Sequence, residues 1–243
     1  MTATPATHRT ELAAAEARVL ASLDQSASWA DQPSGLPGWS RRHVAAHLLG
    51  NAEGMLNLVQ WASTGVRTPM YASPEVRKAD IEERAQWPFE KIRDTLADLS
   101  TQLAVGCDGL VEPLAEHDLV LGSGAAIEAW EIPMMRTREV EIHHVDLAAD
   151  YSPDDWTPTF SLRTMNQVVG AFAARGGLPV AELRANDTGR VWSFDNSSAP
   201  SAWLEGAECQ LLAWLIGRPH TSISYRAAPG QSPGTPPPAP VWV

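Results

Sequence analysis

Apolar positions recur at a helical period through the first half of the chain. From Thr10 to Leu23, Ala and Leu alternate with Glu and Arg, which predicts an amphipathic helix. Pro33-Ser34-Gly35-Leu36-Pro37-Gly38 interrupts the period as a loop. Ser40 then stands in an N-cap place, and a second helix is predicted from there to about Trp61, ended by Thr64-Gly65. Thr68 to Pro74 is a non-helical connection. A third helical stretch starts at about Pro74, in a first-turn place, and runs to about Val105, with Pro88 kinking or interrupting it. A fourth runs from about Ala125 to Ala149, bent at Pro133. Long amphipathic helices joined by short connections predict an up-down four-helix bundle.

The pattern changes at Tyr151-Ser152-Pro153-Asp154-Asp155-Trp156-Thr157-Pro158, which reads as a boundary. Beyond it a helix over about Ser161 to Ala174 stops at Gly176-Gly177. Short strand-like runs follow at Val180 to Leu183 and Gly189 to Phe194, with a turn at Asn186-Asp187. A last helix is predicted over about Leu204 to Ile216, and a last strand over Ser222 to Arg226. The Pro-rich tail after Pro229 reads as extended. The fold class is therefore α+β, with a helical bundle over residues 1–152 and a small α+β domain over 153–243.

Composition narrows the function. The 243 residues suffice for real cores, and 44% hydrophobic with 19% charged residues is an ordinary globular balance. A formal net charge of -11 argues against nucleic acid, whose phosphates need a basic surface, and is consistent with a soluble monomer. No stretch has the apolar length of a membrane span, and the N-terminus lacks the pattern of a signal peptide. Two cysteines, Cys107 and Cys209, are too few for a disulfide scaffold, so a reduced cytoplasmic protein is expected. Cys107 has no His beside it, and Cys209, in an apolar run, reads as core. Neither a nucleophile elbow nor a phosphate-binding glycine loop is present.

The candidate chemistry lies in Arg138-Glu139-Val140-Glu141-Ile142-His143-His144-Val145-Asp146. Glu139 and His143 are four residues apart, which stacks a carboxylate and an imidazole on one helix face. Such a pair is half of a metal site, although an exposed ion pair has the same spacing. The apolar Val140, Ile142, Val145 and Leu147 give this helix buried faces, where a Glu and a His need a partner. His43 and His47 repeat the spacing upstream. Spacing does not choose between His43 and His47, nor between His143 and His144. Two imidazoles and one carboxylate would leave a coordination position open, as catalytic metals have. Arg77 and Arg218 are candidate carboxylate clamps; a solvated helix charge and a cation on a helix C-terminus are their plainer readings.

Several segments carry a resemblance that covers nearly the whole chain. They are Gly38-Trp39-Ser40-Arg41-Arg42-His43-Val44-Ala45-Ala46-His47, Gln60 to Gly65, Thr68-Pro69-Met70-Tyr71-Ala72-Ser73-Pro74-Glu75-Val76-Arg77, Met135 to Leu147, and Leu215-Ile216-Gly217-Arg218. In this order and separation they resemble the mycothiol-dependent maleylpyruvate isomerases. The resemblance implies an N-terminal DinB-like metal-binding bundle joined to a smaller C-terminal α+β domain. It assigns His47, Glu139 and His143 as ligands of zinc (Zn2+), leaves His43 and His144 out, and places Arg77 and Arg218 as active-site arginines. Asn51 and Asp146 become candidates to hold the ligands in place. One difference is Glu141, where a relative carries Trp, and a charge there is expected to alter the pocket.

The implied activity is conversion of maleylpyruvate to fumarylpyruvate in gentisate-type aromatic degradation. A low-molecular-weight thiol, mycothiol or else ergothioneine, is made a thiolate by zinc. It adds to the cis double bond of the unsaturated oxo-acid, the bond rotates, and elimination leaves the trans product. An arginine stabilises the charge passed to the substrate's oxygens. A thiol S-transferase on the same scaffold is the alternative. A non-enzymatic metal-binding protein is the third reading, and it predicts zinc without turnover.

Overall fold

In a computed structural model the described residues are 5–110, 119–194, 202–227, 234–239 and 241. The chain divides into two units, Met1–Asp150 and Tyr151–Val243.

Four long helices build the first unit: α1 (Pro5–Ser22), α3 (Arg41–Thr64), α5 (Phe89–Asp108) and α6 (Ile132–Asp146). The short α2 (Ala27–Ala30) and α4 (Pro74–Arg84) lie between them. Each boundary has a local cause. Ser40 caps α3, where its N–H donates to His43 Nδ1 at 3.2 Å, and Gly65 ends it in the left-handed region at φ 72°. Ser73 Oγ accepts from Val76 N at 3.2 Å to start α4, with Pro74 in the first turn. Pro88 separates α4 from α5, so the predicted third stretch is two helices.

Two apolar clusters fill the bundle. Val19, Leu23, Leu48, Phe89, Leu96 and Val140 belong to one, and Leu12, Met55, Leu58, Leu103, Cys107 and Ile132 to the other. One polar network crosses this interior. The fully buried Arg136 donates from Nε to Glu16 Oε1 at 2.7 Å, and from Nη1 to Leu48 O and Asn51 Oδ1, both at 2.8 Å. Glu16 also accepts from Ser100 Oγ at 2.9 Å, so α1, α3, α5 and α6 are tied by one ion pair and its hydrogen bonds.

The fourth predicted helix begins later than its sequence suggests. β1 (Leu119–Val120) pairs antiparallel with β2 (Ala126–Ile127), and a single 3-10 turn at Ala129–Glu131 precedes α6. Pro133 does not bend a helix; it sits in the first turn, where its missing N–H costs nothing.

The second unit pairs α7 (Pro158–Arg175) and α8 (Glu208–Leu215) with a four-stranded sheet. The strands are β3 (Glu182–Ala185), β4 (Val191–Ser193), β5 (Trp203–Gly206) and β6 (Ser224–Arg226), in the order β4-β3-β5-β6. β3 and β5 are parallel, with Leu183 opposite Leu204; the other pairs are antiparallel. The predicted helix from Leu204 is thus strand for its first residues, and helix only from Glu208. Cys209 is half-buried rather than core, with Sγ 3.6 Å from Asp154 Oδ1. Of the Pro-rich tail, residues 228–233, 240 and 242–243 lie outside the described residues, and 234–239 form neither helix nor strand. Among the described residues no helix is long and apolar enough to cross a membrane.

Candidate metal centre

His47 lies on the second turn of α3, and Glu139 and His143 lie one turn apart on α6. The two helices pack so that all three side chains converge. Their ligand atoms lie within 4.8 Å of one another. His47 Nε2 is 3.3 Å from Glu139 Oε2, and His143 Nε2 is 3.8 Å from the same oxygen. The two imidazoles meet edge to face at 4.3 Å. Donors around a tetrahedral zinc stand roughly 3.3–3.5 Å apart, given zinc–ligand bonds of about 2.0–2.2 Å. These distances suit such an ion with small adjustments.

The supports of the two histidines differ. His143 Nδ1 faces Asp146 Oδ2 at 2.8 Å. A carboxylate only accepts, so the ring proton sits on Nδ1 and the Nε2 lone pair is turned to the centre. Asp146 is itself fixed: the C-terminus of α6 receives Gly35 N–H on Asp146 O at 2.8 Å, while Arg41 donates to Leu147 O and Ala148 O, both at 2.8 Å. Gly35 lies close against this turn; a Cβ there would stand 3.4 Å from Asp146 O, about van der Waals contact. The loop read from Pro33 to Gly38 thus braces one ligand.

His47 is 1% exposed. Its Nδ1 lies 3.0 Å from Arg77 Nη2. Its Nε2 is buried and makes no hydrogen bond among the described residues. A buried ring nitrogen without a partner, aimed at a carboxylate and a second imidazole, fits a metal-ligand position. Burial chiefly, and then the charge of His143, lower the His47 pKa to about 4 against the pull of Glu139. Burial alone would raise the Glu139 carboxyl, but His47 and His143 outweigh it and hold it well below the usual carboxylate range. A neutral His47 imidazole and an ionised Glu139 carboxylate therefore stand together at neutral pH, the charge states a metal needs.

The neighbouring candidates are engaged elsewhere. His43 Nδ1 accepts from the Ser40 N–H, and its Nε2 lies 3.7 Å from Glu82. His144 Nε2 is 2.8 Å from Ser22 Oγ on α1. Glu141, expected to disturb the pocket, does not reach it. Two residues from both Glu139 and His143, it points to the other side of α6, where it is buried and ion-paired with Arg18.

A cavity of about 190 Å³ opens beside His47, between α3 and α4. Tyr71, Arg77, Asn57, Asp80 and Arg84 are among its lining residues. The Arg77 guanidinium carbon sits 5.4 Å from the Tyr71 ring centre, and burial pushes the Tyr71 phenol above its ordinary range. Tyr71 stands in the connection from Thr68 to Pro74, where no spacing in the sequence marks it as a site residue. Asn51, one turn after His47 on α3, accepts from Arg136 at 2.8 Å and belongs to the buried network. Arg218 belongs to the second unit, where it follows α8 and donates from Nη1 to Ile216 O at 2.9 Å. Cys107, buried in the bundle with its thiol pushed up to about 12 by burial, is no nucleophile.

Residues 9–148 match the family model described as the mycothiol maleylpyruvate isomerase N-terminal domain. No curated protein matches the sequence. Among solved structures, the crystal structure of the mycothiol-dependent maleylpyruvate isomerase is similar at 23% identity. The match has a TM-score of 0.89 and covers 99% of this chain and 98% of that one. A histidine-to-alanine mutant of the mycothiol-dependent maleylpyruvate isomerase matches over the same shares, at 23% identity with a TM-score of 0.88. At that identity the likeness concerns the fold.

Proposed function

The chain belongs to the family of the mycothiol maleylpyruvate isomerase N-terminal domain, and from that premise we propose that it is a zinc- and thiol-dependent cis–trans isomerase acting on maleylpyruvate. The observation that carries the reading is the convergence of His47, Glu139 and His143, with His47 also lining a cavity that holds Arg77. Two imidazoles and one carboxylate suit zinc with a position left open. Zinc held by these three would supply a Lewis acid at which a low-molecular-weight thiol, mycothiol by family, is a thiolate at neutral pH.

The chain's own groups do the rest. Asp146 holds His143 with its Nε2 lone pair toward the centre, and the buried face of α3 carries the His47 ring to the same point. Arg77, on the cavity wall, is placed to bind a carboxylate of the substrate and to stabilise negative charge arriving on its oxo-acid oxygens. Neither cysteine favours a thiolate, since burial pushes up the Cys107 thiol, and burial with the charge of Asp154 pushes up that of Cys209, which supports a sulfur supplied by the thiol cofactor. Arg218 enters the proposal on the resemblance alone.

The test is the rate of maleylpyruvate conversion by zinc-replete protein, without thiol and with mycothiol, ergothioneine or glutathione in parallel. Turnover with one thiol is expected, with the thiol recovered unchanged. His47→Ala should lower the rate by at least 10²-fold, through loss of the metal. Thiol consumed into a stable adduct would replace isomerisation by transfer. Zinc-loaded protein inert with every thiol would sink the enzyme reading on this substrate.

A further inference from the structure

We propose that Arg77 and the metal compete for His47, so that loading the centre detaches the guanidinium from the ring and leaves it free to act as an anion clamp. This rests on the metal-centre reading above and deepens it. The argument begins with what each group can donate. An arginine side chain has only N–H donors. With Arg77 Nη2 3.0 Å from His47 Nδ1, that ring nitrogen is the acceptor. The proton of the neutral ring therefore sits on Nε2.

Nε2 is the nitrogen turned to Glu139 and His143. A nitrogen that carries a proton has no lone pair for a metal. The two histidines of the centre are thus held in opposite tautomers: His143 by the Asp146 carboxylate in the ligand form, His47 by a guanidinium in the other. Ligation through His47 Nε2 moves the proton to Nδ1, where two donors would face each other. The Arg77 contact must then break. In that tautomer the His47 Nε2–H lies 3.3 Å from Glu139 Oε2, a charge contact short of a well-formed hydrogen bond, which the metal would replace.

The released guanidinium belongs to the cavity wall and lies near Tyr71, so it needs no new element to present it to a ligand. Metal loading and carboxylate binding become coupled: the metal-free protein keeps its clamp on His47, and the loaded protein offers it to substrate. Arg77 is in this sense a positioning residue for the metal ligand as well as a contact for the anion.

Two measurements on the intact protein test this. Zinc affinity, by competition with a chromophoric chelator, should be about tenfold tighter in Arg77→Met than in wild type. Imidazole nitrogen NMR of the metal-free protein should show the Nε2–H form of His47 beside the Nδ1–H form of His143, and zinc should convert His47 to the Nδ1–H form. Equal or weaker zinc binding by Arg77→Met, or an Nδ1–H His47 in the metal-free protein, overturns the proposal while leaving the metal centre standing. If His47→Ala leaves zinc affinity unchanged, the metal-centre reading has failed and takes this one with it.

Discussion

At the scale of single residues, His47 couples burial to acid sensitivity. Its pKa is about 4 in the fold against 6.5 for an ordinary imidazole. As pH falls below 6.5 the unfolded chain takes up a proton that the folded chain refuses, so stability falls with pH until about 4. The shift corresponds to about 3 kcal/mol for this nearly inaccessible ring. Glu139 acts in the same direction further down: its lowered carboxyl stabilises the fold above the usual carboxylate pKa, and that contribution is lost at more acid pH. Urea titrations of the metal-free protein should show the midpoint falling between pH 6.5 and 4, and His47→Gln should flatten that slope. The same slope in both proteins would mean that another group carries it. Spacing could not single out His47, because His43 has the same four-residue register. What separates them is tertiary. His43 Nδ1 is taken by the Ser40 N–H at the helix start, whereas His47 is the one carried inward to α6.

At the scale of elements, the cavity depends on how closely the connection before α4 lies on α3. A Cβ at Gly54 would stand 2.7 Å from Met70 Cγ and 3.0 Å from Met70 O, so Gly54→Ala forces the backbone beside Tyr71 outward. Alanine gains about 1 kcal/mol of helix propensity, and the clash costs about 1–3 kcal/mol, so a net loss near 1 kcal/mol is expected with a widened cavity. Gly50→Ala meets only the Arg84 Nη1 tip at 2.8 Å, which can swing aside, and should be close to neutral or stabilising. Thermal unfolding of both variants distinguishes these outcomes. Helices announced by punctuation were legible: Ser40, Gly65, Pro88 and Gly176 stand where the chain turns. Two elements were not. Ala125 to Glu128 is built of helix formers, yet Ala126–Ile127 closes a hairpin around Gly124 at φ 83°. Trp203–Gly206 is separated from α8 by Ala207 alone, so its alternation merges with the helix that follows; only pairing with β3 makes it a strand.

At the scale of the whole molecule, the metal centre and its supports fall in one unit. His47, Glu139, His143, Asp146, Arg77 and the Arg136 network all lie within residues 1–150, as do both apolar clusters of the bundle. The bundle was legible because its helices are long and its apolar face repeats many times. The pairing of α3 with α6 was not, since it joins residues almost a hundred positions apart and no local pattern encodes that contact; family resemblance supplied it. A unit with its own core and its own ligands should fold without the remainder. A fragment of residues 1–150 is therefore expected to unfold cooperatively and to bind one zinc, with an affinity within about threefold of the intact chain, read by chelator competition. A fragment that folds but binds no zinc would place a required ligand outside His47, Glu139 and His143. Turnover separates a further point, because Arg218 is absent from the fragment: isomerisation at the intact rate would retire that arginine from the mechanism, and zinc binding without turnover would keep the second unit in it.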